Sequence, residues 1–130
     1  SMSDQFCVDR HKPHFLDLVK NKLHITFANE QEMTSLVNAK NFNEVIDFAK
    51  HLNKLVIITR GEKGAISIFG NEIIENDIEK NLNIKDLTGA GDLFAAGYLH
   101  GYLNNFSQIE CLNKGKEMSS RVIQQIGARL

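Results

Sequence analysis

The apolar positions of the chain switch repeatedly between helical and strand spacing, the pattern of an α/β fold. Phe15, Leu16, Val19 and Leu23 form a stripe that predicts a helix from about Asp9 to Lys22. Leu23 to Ala28 then reads as a strand, and Asn29 to Val37 as a short helix leaving its end. Phe42 to Leu52 is a second amphipathic helix. Leu55-Val56-Ile57-Ile58-Thr59 is almost continuously apolar, as in a strand covered on both faces. Gly61 and Gly64 bracket a turn, and strands at Ala65 to Phe69 and Glu72 to Glu75 are joined by Gly70-Asn71 as a hairpin. A helix rich in small residues is predicted from Ala90 to Leu103. A last helix runs from about Ser107 to Ile126 and ends on Gly127 as its C′ residue. No repeat, low-complexity tract or linker interrupts the pattern, so one compact unit is the simplest reading. Ser1-Met2 reads as a tag remnant ahead of an internal start and is left out of the fold reasoning.

Composition narrows the classes of function. The 130 residues are enough for one core, and 15 basic against 16 acidic side chains leave a net charge of −1. That balance argues against a broad nucleic-acid surface or a polybasic membrane face. No apolar run reaches the length of a membrane span, and the N-terminus has no signal-peptide core. Cys7 and Cys111 lie far apart without a CxxC pattern, which predicts buried thiols in a reducing compartment, the cytoplasm. His11 and His14, separated across Pro13, lack metal-ligand spacing and are expected at the surface.

The chemistry concentrates in Asp86-Leu87-Thr88-Gly89-Ala90-Gly91-Asp92, placed where a strand ends and a helix begins. Gly89 and Gly91 allow backbone conformations and close ligand approach that a side chain would obstruct. The first N–H groups of the following helix create a positive field suited to phosphate oxygens. Asp92 then sets a carboxylate beside an anion site, which is unfavourable unless the carboxylate has a task such as accepting a hydroxyl proton. A bare GxG would more often be a tight turn with a first-turn acid; the whole string, followed by Ala95-Ala96-Gly97, favours function.

The string resembles the C-terminal signature Asp-Thr-x-Gly-Ala-Gly-Asp of the PfkB, or ribokinase-like, carbohydrate and nucleoside kinases, with Leu87 in place of the usual Thr. The resemblance implies that Asp92 is the catalytic base and that Gly89, Ala90 and Gly91 form the anion hole. Asn29-Glu30-Gln31-Glu32 is similar to the family's Asn-x-x-Glu motif, which implies magnesium held mainly indirectly near Asn29 and Glu32; taken alone, the same spacing reads as a capping box at the start of a helix. Thr59-Arg60-Gly61-Glu62-Lys63-Gly64-Ala65 resembles its ATP-site strand and turn, implying nucleotide contacts at Thr59, Gly61 and Gly64; by themselves Thr59 and Gly61 read equally well as a strand end and a turn. Arg60, Glu62 and Lys63 read as solvent-facing turn residues.

Gln124 to Arg129 resembles the stretch that closes the nucleotide pocket, so Thr88 and Gly127 join the nucleotide set. In several relatives Asp86, Thr88 and carbonyls near Gly127 hold a monovalent cation, which implies K+. Ser3 to His11, Leu93 to Leu99 and Gly127-Ala128-Arg129 are closest in flavour to bacterial adenosine-kinase-like members. Lys116 departs from the small or Asn residue that many relatives carry near the nucleobase.

The resemblance spans the chain from Ser3 but only the C-terminal part of the family's length. It implies the C-terminal portion of a three-layer α/β/α sandwich, containing the ATP-binding and catalytic-loop region and lacking most of the acceptor site. A sheet without its neighbouring strands exposes an edge and apolar surface, so association of copies through that edge is expected, and little activity from the fragment alone. The implied function is ATP-dependent phosphorylation of an alcohol on a nucleoside or sugar. Two rival functions fit these residues less well. A non-catalytic nucleotide-binding or regulatory domain would gain nothing from Asp92. A dinucleotide-binding oxidoreductase needs a third glycine, which Gly89-Ala90-Gly91-Asp92 does not supply.

Overall fold

The computed structural model describes residues 1–2, 5–77 and 82–130. Helices α1 (Gln5–Arg10) and α2 (Lys12–Asp17) lead into a wide π turn at Leu18–Lys22. Strand β1 (Ile25–Asn29) is followed by α3 (Glu30–Val37) and α4 (Phe42–Leu52), then by β2 (Leu55–Thr59). A short 3₁₀ turn at Gly61–Lys63 precedes β3 (Ala65–Phe69) and β4 (Glu72–Asn76), and α5 (Ala90–Leu103) and α6 (Gln108–Ile123) complete the chain. Among the described residues the sheet has four strands in the order β1-β2-β3-β4, with β1 and β2 parallel from Ile25 opposite Leu55 to Asn29 opposite Thr59.

The single helix expected over Asp9 to Lys22 is instead two helices and a π turn. Pro13 sits in the first turn of α2, where its missing N–H costs nothing, but it cannot continue a helix begun at Gln5. The chain breaks at His11, with φ −128° and ψ 33°. The π turn closes through the Leu23 N–H donating to the Leu18 carbonyl at 2.8 Å. Lys54 Nζ donates to the Lys20 carbonyl at 2.6 Å and to that of Val19 at 3.4 Å, satisfying acceptors the helix end leaves open. His11 and His14 are exposed, as expected.

Two compact units make up the chain: residues 1–60 with 66–73, and residues 61–65 with 74–130. The first is organised on one core that includes Val8, Val19, Met33, Leu36, Val45, Val56, Ile58, Ile66 and Ile68. Met2, which reads from sequence as part of a tag remnant, is 2% exposed within this core. Leu55 to Ile58 are all buried, which accounts for the unbroken apolar run on β2. Helix α3 is held by a capping box between Asn29 and Glu32, and α4 by the Asn41 side chain accepting from the Glu44 N–H at 3.1 Å. Both helices end on an asparagine in the left-handed region, Asn38 and Asn53, each at φ +52°.

In the second unit α5 and α6 form a hairpin whose backbones approach at glycines. A Cβ on Gly97 would lie 2.6 Å from the Lys114 carbonyl oxygen and 3.0 Å from the Gly115 Cα, and one on Gly115 would lie 2.9 Å from the Phe94 carbonyl oxygen. Gly97→Ala therefore pushes on backbone that no rotamer change relieves. It is expected to destabilise the protein by about 1–3 kcal/mol, measured as a shift in the denaturant midpoint at constant m. Cys111 is buried on α6, where desolvation and then the nearby charge of Glu110 push its thiol pKa up, and Cys7 is half-buried. No helix among the described residues is long and apolar enough to cross a membrane.

The last helix stops at Ile123, earlier than the Ile126 expected from sequence. A continued helix would send the Gly127 N–H to the Ile123 carbonyl. That carbonyl instead accepts from the N–H groups of Lys85 at 2.8 Å and Asp86 at 3.2 Å. Gly127, at φ +96°, is thus part of a crossing segment and not the C′ residue of α6. The strand expected to lead into the Asp86 loop is not found among the described residues: 82–87 carry no strand pairing. Ser3 and Asp4, part of the N-terminal resemblance, lie outside the described residues.

Candidate functional site

The loop before α5 is built around the Asp86 carboxylate. Its Oδ1 accepts the Thr88 N–H at 2.9 Å and the Thr88 hydroxyl at 2.6 Å, and its Oδ2 accepts the Gly127 N–H at 3.0 Å. An aspartate two residues before its backbone donor is a natural turn former, and here the same side chain ties the loop to the C-terminal segment. These hydrogen bonds, the Thr88 hydroxyl foremost and the Gly127 and Thr88 amides after it, hold the Asp86 pKa below its ordinary 3.8.

Gly89 carries the chain into α5 at φ +81°, a conformation that a side chain disfavours. It is closed on its other side as well: a Cβ there would meet the Ala128 Cβ at 2.8 Å. The Ala90 N–H turns back to the Leu87 carbonyl at 3.2 Å, and the helix ladder opens with the Leu93 N–H on the Gly89 carbonyl at 2.9 Å. The amides of Gly91 and Asp92 therefore head α5 without an intrahelical acceptor. Both residues are exposed, and a Cβ on Gly91 would meet nothing within 4 Å. The result is an open concentration of N–H dipoles with the Asp92 carboxylate in the same turn, able to hold an anion and take a proton beside it.

The first unit contributes a separate arrangement at the ends of β1 and β2. The Asn29 side chain accepts from the Glu32 N–H at 2.8 Å, and Glu32 Oε2 accepts from the Asn29 N–H at 2.9 Å. Glu32 is buried, and Thr59 stands opposite Asn29 in the parallel register. Among the described residues no group of three or more His, Cys, Asp or Glu side chains is placed to hold a metal ion. A single carboxylate suits a Mg2+ that keeps most of its ligands as water and phosphate. For a monovalent cation, three donors already occupy Asp86, leaving about one of its four lone-pair sites to share.

Arg60 is not the solvent-facing turn residue expected from sequence. Its side chain is 18% exposed, its Nε and Nη2 reach the two Glu30 carboxylate oxygens at 3.3 and 3.4 Å, and its guanidinium lies 3.6 Å from the centre of the Phe42 ring. An Arg and a Glu each one residue beyond the ends of neighbouring strands is the signal that could have revealed it.

Gly61 and Gly64 both have positive φ, +55° and +85°, but differ in surroundings: nothing would meet a Cβ on Gly61, whereas one on Gly64 would lie 2.1 Å from the Asn76 carbonyl oxygen. Backbone packing accounts for glycine at 64, and open space for ligand approach remains at 61.

The PfkB family carbohydrate kinase model matches residues 2–130. The chain belongs to the PfkB family. A probable sugar kinase from Rhizobium etli shares 40% identity and superposes over 98% of this chain with a TM-score of 0.94. The adenosine kinase from Sinorhizobium meliloti shares 36% identity over 99% of the chain, with a TM-score of 0.95. A cytidine kinase from Thermococcus kodakarensis is 36% identical over 84% of this chain. The fold is therefore the ribokinase-like α/β fold. This PfkB chain spans about 40% of the length of these relatives.

The lowered Asp86 pKa fixes a sign. A carboxylate whose folded pKa is depressed stabilises the fold above its unfolded value of 3.8 and loses that contribution as pH falls through the lower, folded value. The thermal midpoints of the native sequence and Asp86→Asn should thus differ most at neutral pH and draw together below 3.8. A gap that widens in acid would contradict the hydrogen-bond assignment.

Proposed function

We propose that the longer protein to which this chain belongs is an ATP-dependent phosphotransferase acting on an alcohol of a nucleoside or sugar. The observation that carries this reading is the pair of exposed residues Gly91 and Asp92, whose amides head α5 without an intrahelical acceptor, with the Asp92 carboxylate in the same helical turn. Phosphoryl transfer needs in-line positioning and stabilisation of charge on the transferring oxygens more than covalent help. Gly89, Ala90 and Gly91 are the residues proposed to supply the second, the open Gly91 amide directly and the Ala90 amide by giving up its bond to the Leu87 carbonyl. As the acceptor oxygen bonds to phosphorus and the bond from phosphorus to the ADP oxygen breaks, the hydroxyl proton passes to Asp92.

Thr59, Gly61, Gly64, Thr88 and Gly127 are the residues proposed to contact nucleotide. Asn29 and Glu32 would hold Mg2+ through water, and the metal would supply charge neutralisation at the phosphates when bound. Asp86 and Thr88 are the proposed ligands of a K+ ion, sharing Asp86 with its present donors. The relatives named for sugars and for nucleosides support the acceptor class without choosing within it, and the adenosine-kinase-like cues favour a nucleoside. The cytoplasm is its proposed setting, and association of copies would run through an outer strand of the sheet.

The test is acceptor-dependent ADP release by the full-length protein with Mg2+ and ATP, using adenosine, cytidine, ribose and fructose. Phosphorylation of a nucleoside or sugar hydroxyl is the expected result. A full-length protein that binds ATP yet phosphorylates none of these classes would overturn the reading.

A further inference from the structure

In open α/β sheets ligands sit beyond the carboxyl ends of the parallel strands, and β1 and β2 end there with Asn29 opposite Thr59. The next residue of each strand crosses the gap between them. Glu30 and Arg60 meet in a two-pronged pair, Nε to Oε2 at 3.3 Å and Nη2 to Oε1 at 3.4 Å. Phe42, the first residue of α4, lies under the guanidinium at 3.6 Å. A planar cation forked onto a carboxylate and stacked on a ring is fixed in position and orientation, which a lysine could not reproduce. Its charge is also neutralised by Glu30, so it is unsuited to act as a free counter-charge for phosphate.

We propose that Arg60 is a positioning residue: the Glu30–Arg60–Phe42 brace sets the spacing between the Asn29–Glu32 turn and Thr59, and thereby the affinity for metal-bound nucleotide. This rests on the phosphotransferase reading, because it takes both strand ends as parts of the nucleotide site. Neither Glu30 nor Arg60 touches substrate. They act together, through the backbone positions next to them.

The pair predicts a pattern that a direct phosphate contact would not produce. Glu30→Gln, Arg60→Met and the double variant of the full-length protein are compared by calorimetric binding of MgATP and, with an accepted substrate, by kcat and KM. Each single change should weaken MgATP at least about threefold, and the double change should be no worse than the single ones, since both remove one interaction. Turnover at saturating nucleotide should stay within about twofold, and Arg60→Lys should fail to restore binding. Phe42→Leu, which keeps apolar bulk but removes the ring face, should give a smaller loss in the same direction. Thermal midpoints identify any variant that is simply unfolded, and Phe42→Leu and Arg60→Lys then carry the comparison.

If Glu30→Gln tightens binding, Arg60 is instead a phosphate ligand restrained by Glu30, and the brace is wrong. Additive losses, or single variants with native affinity, overturn it equally. A native protein that binds no MgATP overturns the functional reading itself, so the two failures are distinguishable.

Discussion

Asp92→Asn is expected to lower turnover of the full-length protein by about 10²–10⁴-fold, the usual contribution of a positioned general base. MgATP affinity should hardly change. The substitution keeps the size of the side chain and the backbone of α5, so the Gly91 and Asp92 amides at its head remain open to an anion. What disappears is the acceptor for the hydroxyl proton. The loss belongs in kcat and in kcat/KM equally, because proton acceptance matters only as the new oxygen–phosphorus bond forms. Steady-state kinetics with varied ATP and acceptor, alongside direct nucleotide binding, separate the two. Near-native turnover would remove Asp92 from the chemistry and favour a pure binding role for the loop. A large loss of nucleotide affinity would indicate damage to the anion site and not to the base.

The largest structural effect is expected at Gly64. Gly64→Ala forces an L-residue into φ +85° and sets its Cβ 2.1 Å from the Asn76 carbonyl oxygen, a contact that cannot exist without moving backbone. The left-handed conformation costs roughly 1–2 kcal/mol and overpacking against backbone about 1–3 kcal/mol more. A total of about 2–5 kcal/mol is anticipated from denaturant unfolding. Gly61→Ala provides the control, because φ +55° brings the conformational cost with nothing within 4 Å to collide. The two variants share one effect and differ in the other. Equal destabilisation would show that the approach of Asn76 to Gly64 is looser than the structure has it. The segment would also lose an arrangement that Asn76 maintains from its side chain, whose Oδ1 accepts the Ala65 N–H at 3.1 Å.

Much of the local structure was legible because it depends on neighbours in sequence. The Phe42–Leu52 and Ala90–Leu103 helices and the Leu55–Thr59 strand occur with the bounds their periodicity predicts. Asn29 caps α3 as its spacing to Glu32 allows, and Gly89 takes a left-handed angle of the kind that glycine permits. The family was legible for the same reason. The Asp86-to-Asp92 string is seven adjacent residues of one loop and helix start, and a pattern of adjacent residues carries the resemblance in one dimension.

What the sequence could not reveal depends on partners distant along the chain. Helix α6 ends at Ile123 because Lys85 and Asp86 take its carbonyl, a competition between segments that no local propensity records. Asp86 has Gly127 as a partner 41 positions away, so its lowered pKa and its double duty as turn former and tether emerged only in three dimensions. Arg60 looked like an exposed turn residue until the parallel register set it beside Glu30 and α4 placed Phe42 beneath it. Glycine at 64 and at 97 reads as mere permissiveness in one dimension; the approach of Asn76 and of Lys114 makes each a steric requirement. Sequence thus determined the elements and the chemical family, whose causes are local. Tertiary structure decided which groups are held, which stay open to a ligand, and where the last helix stops, because those outcomes follow from backbone and charge meeting across the fold.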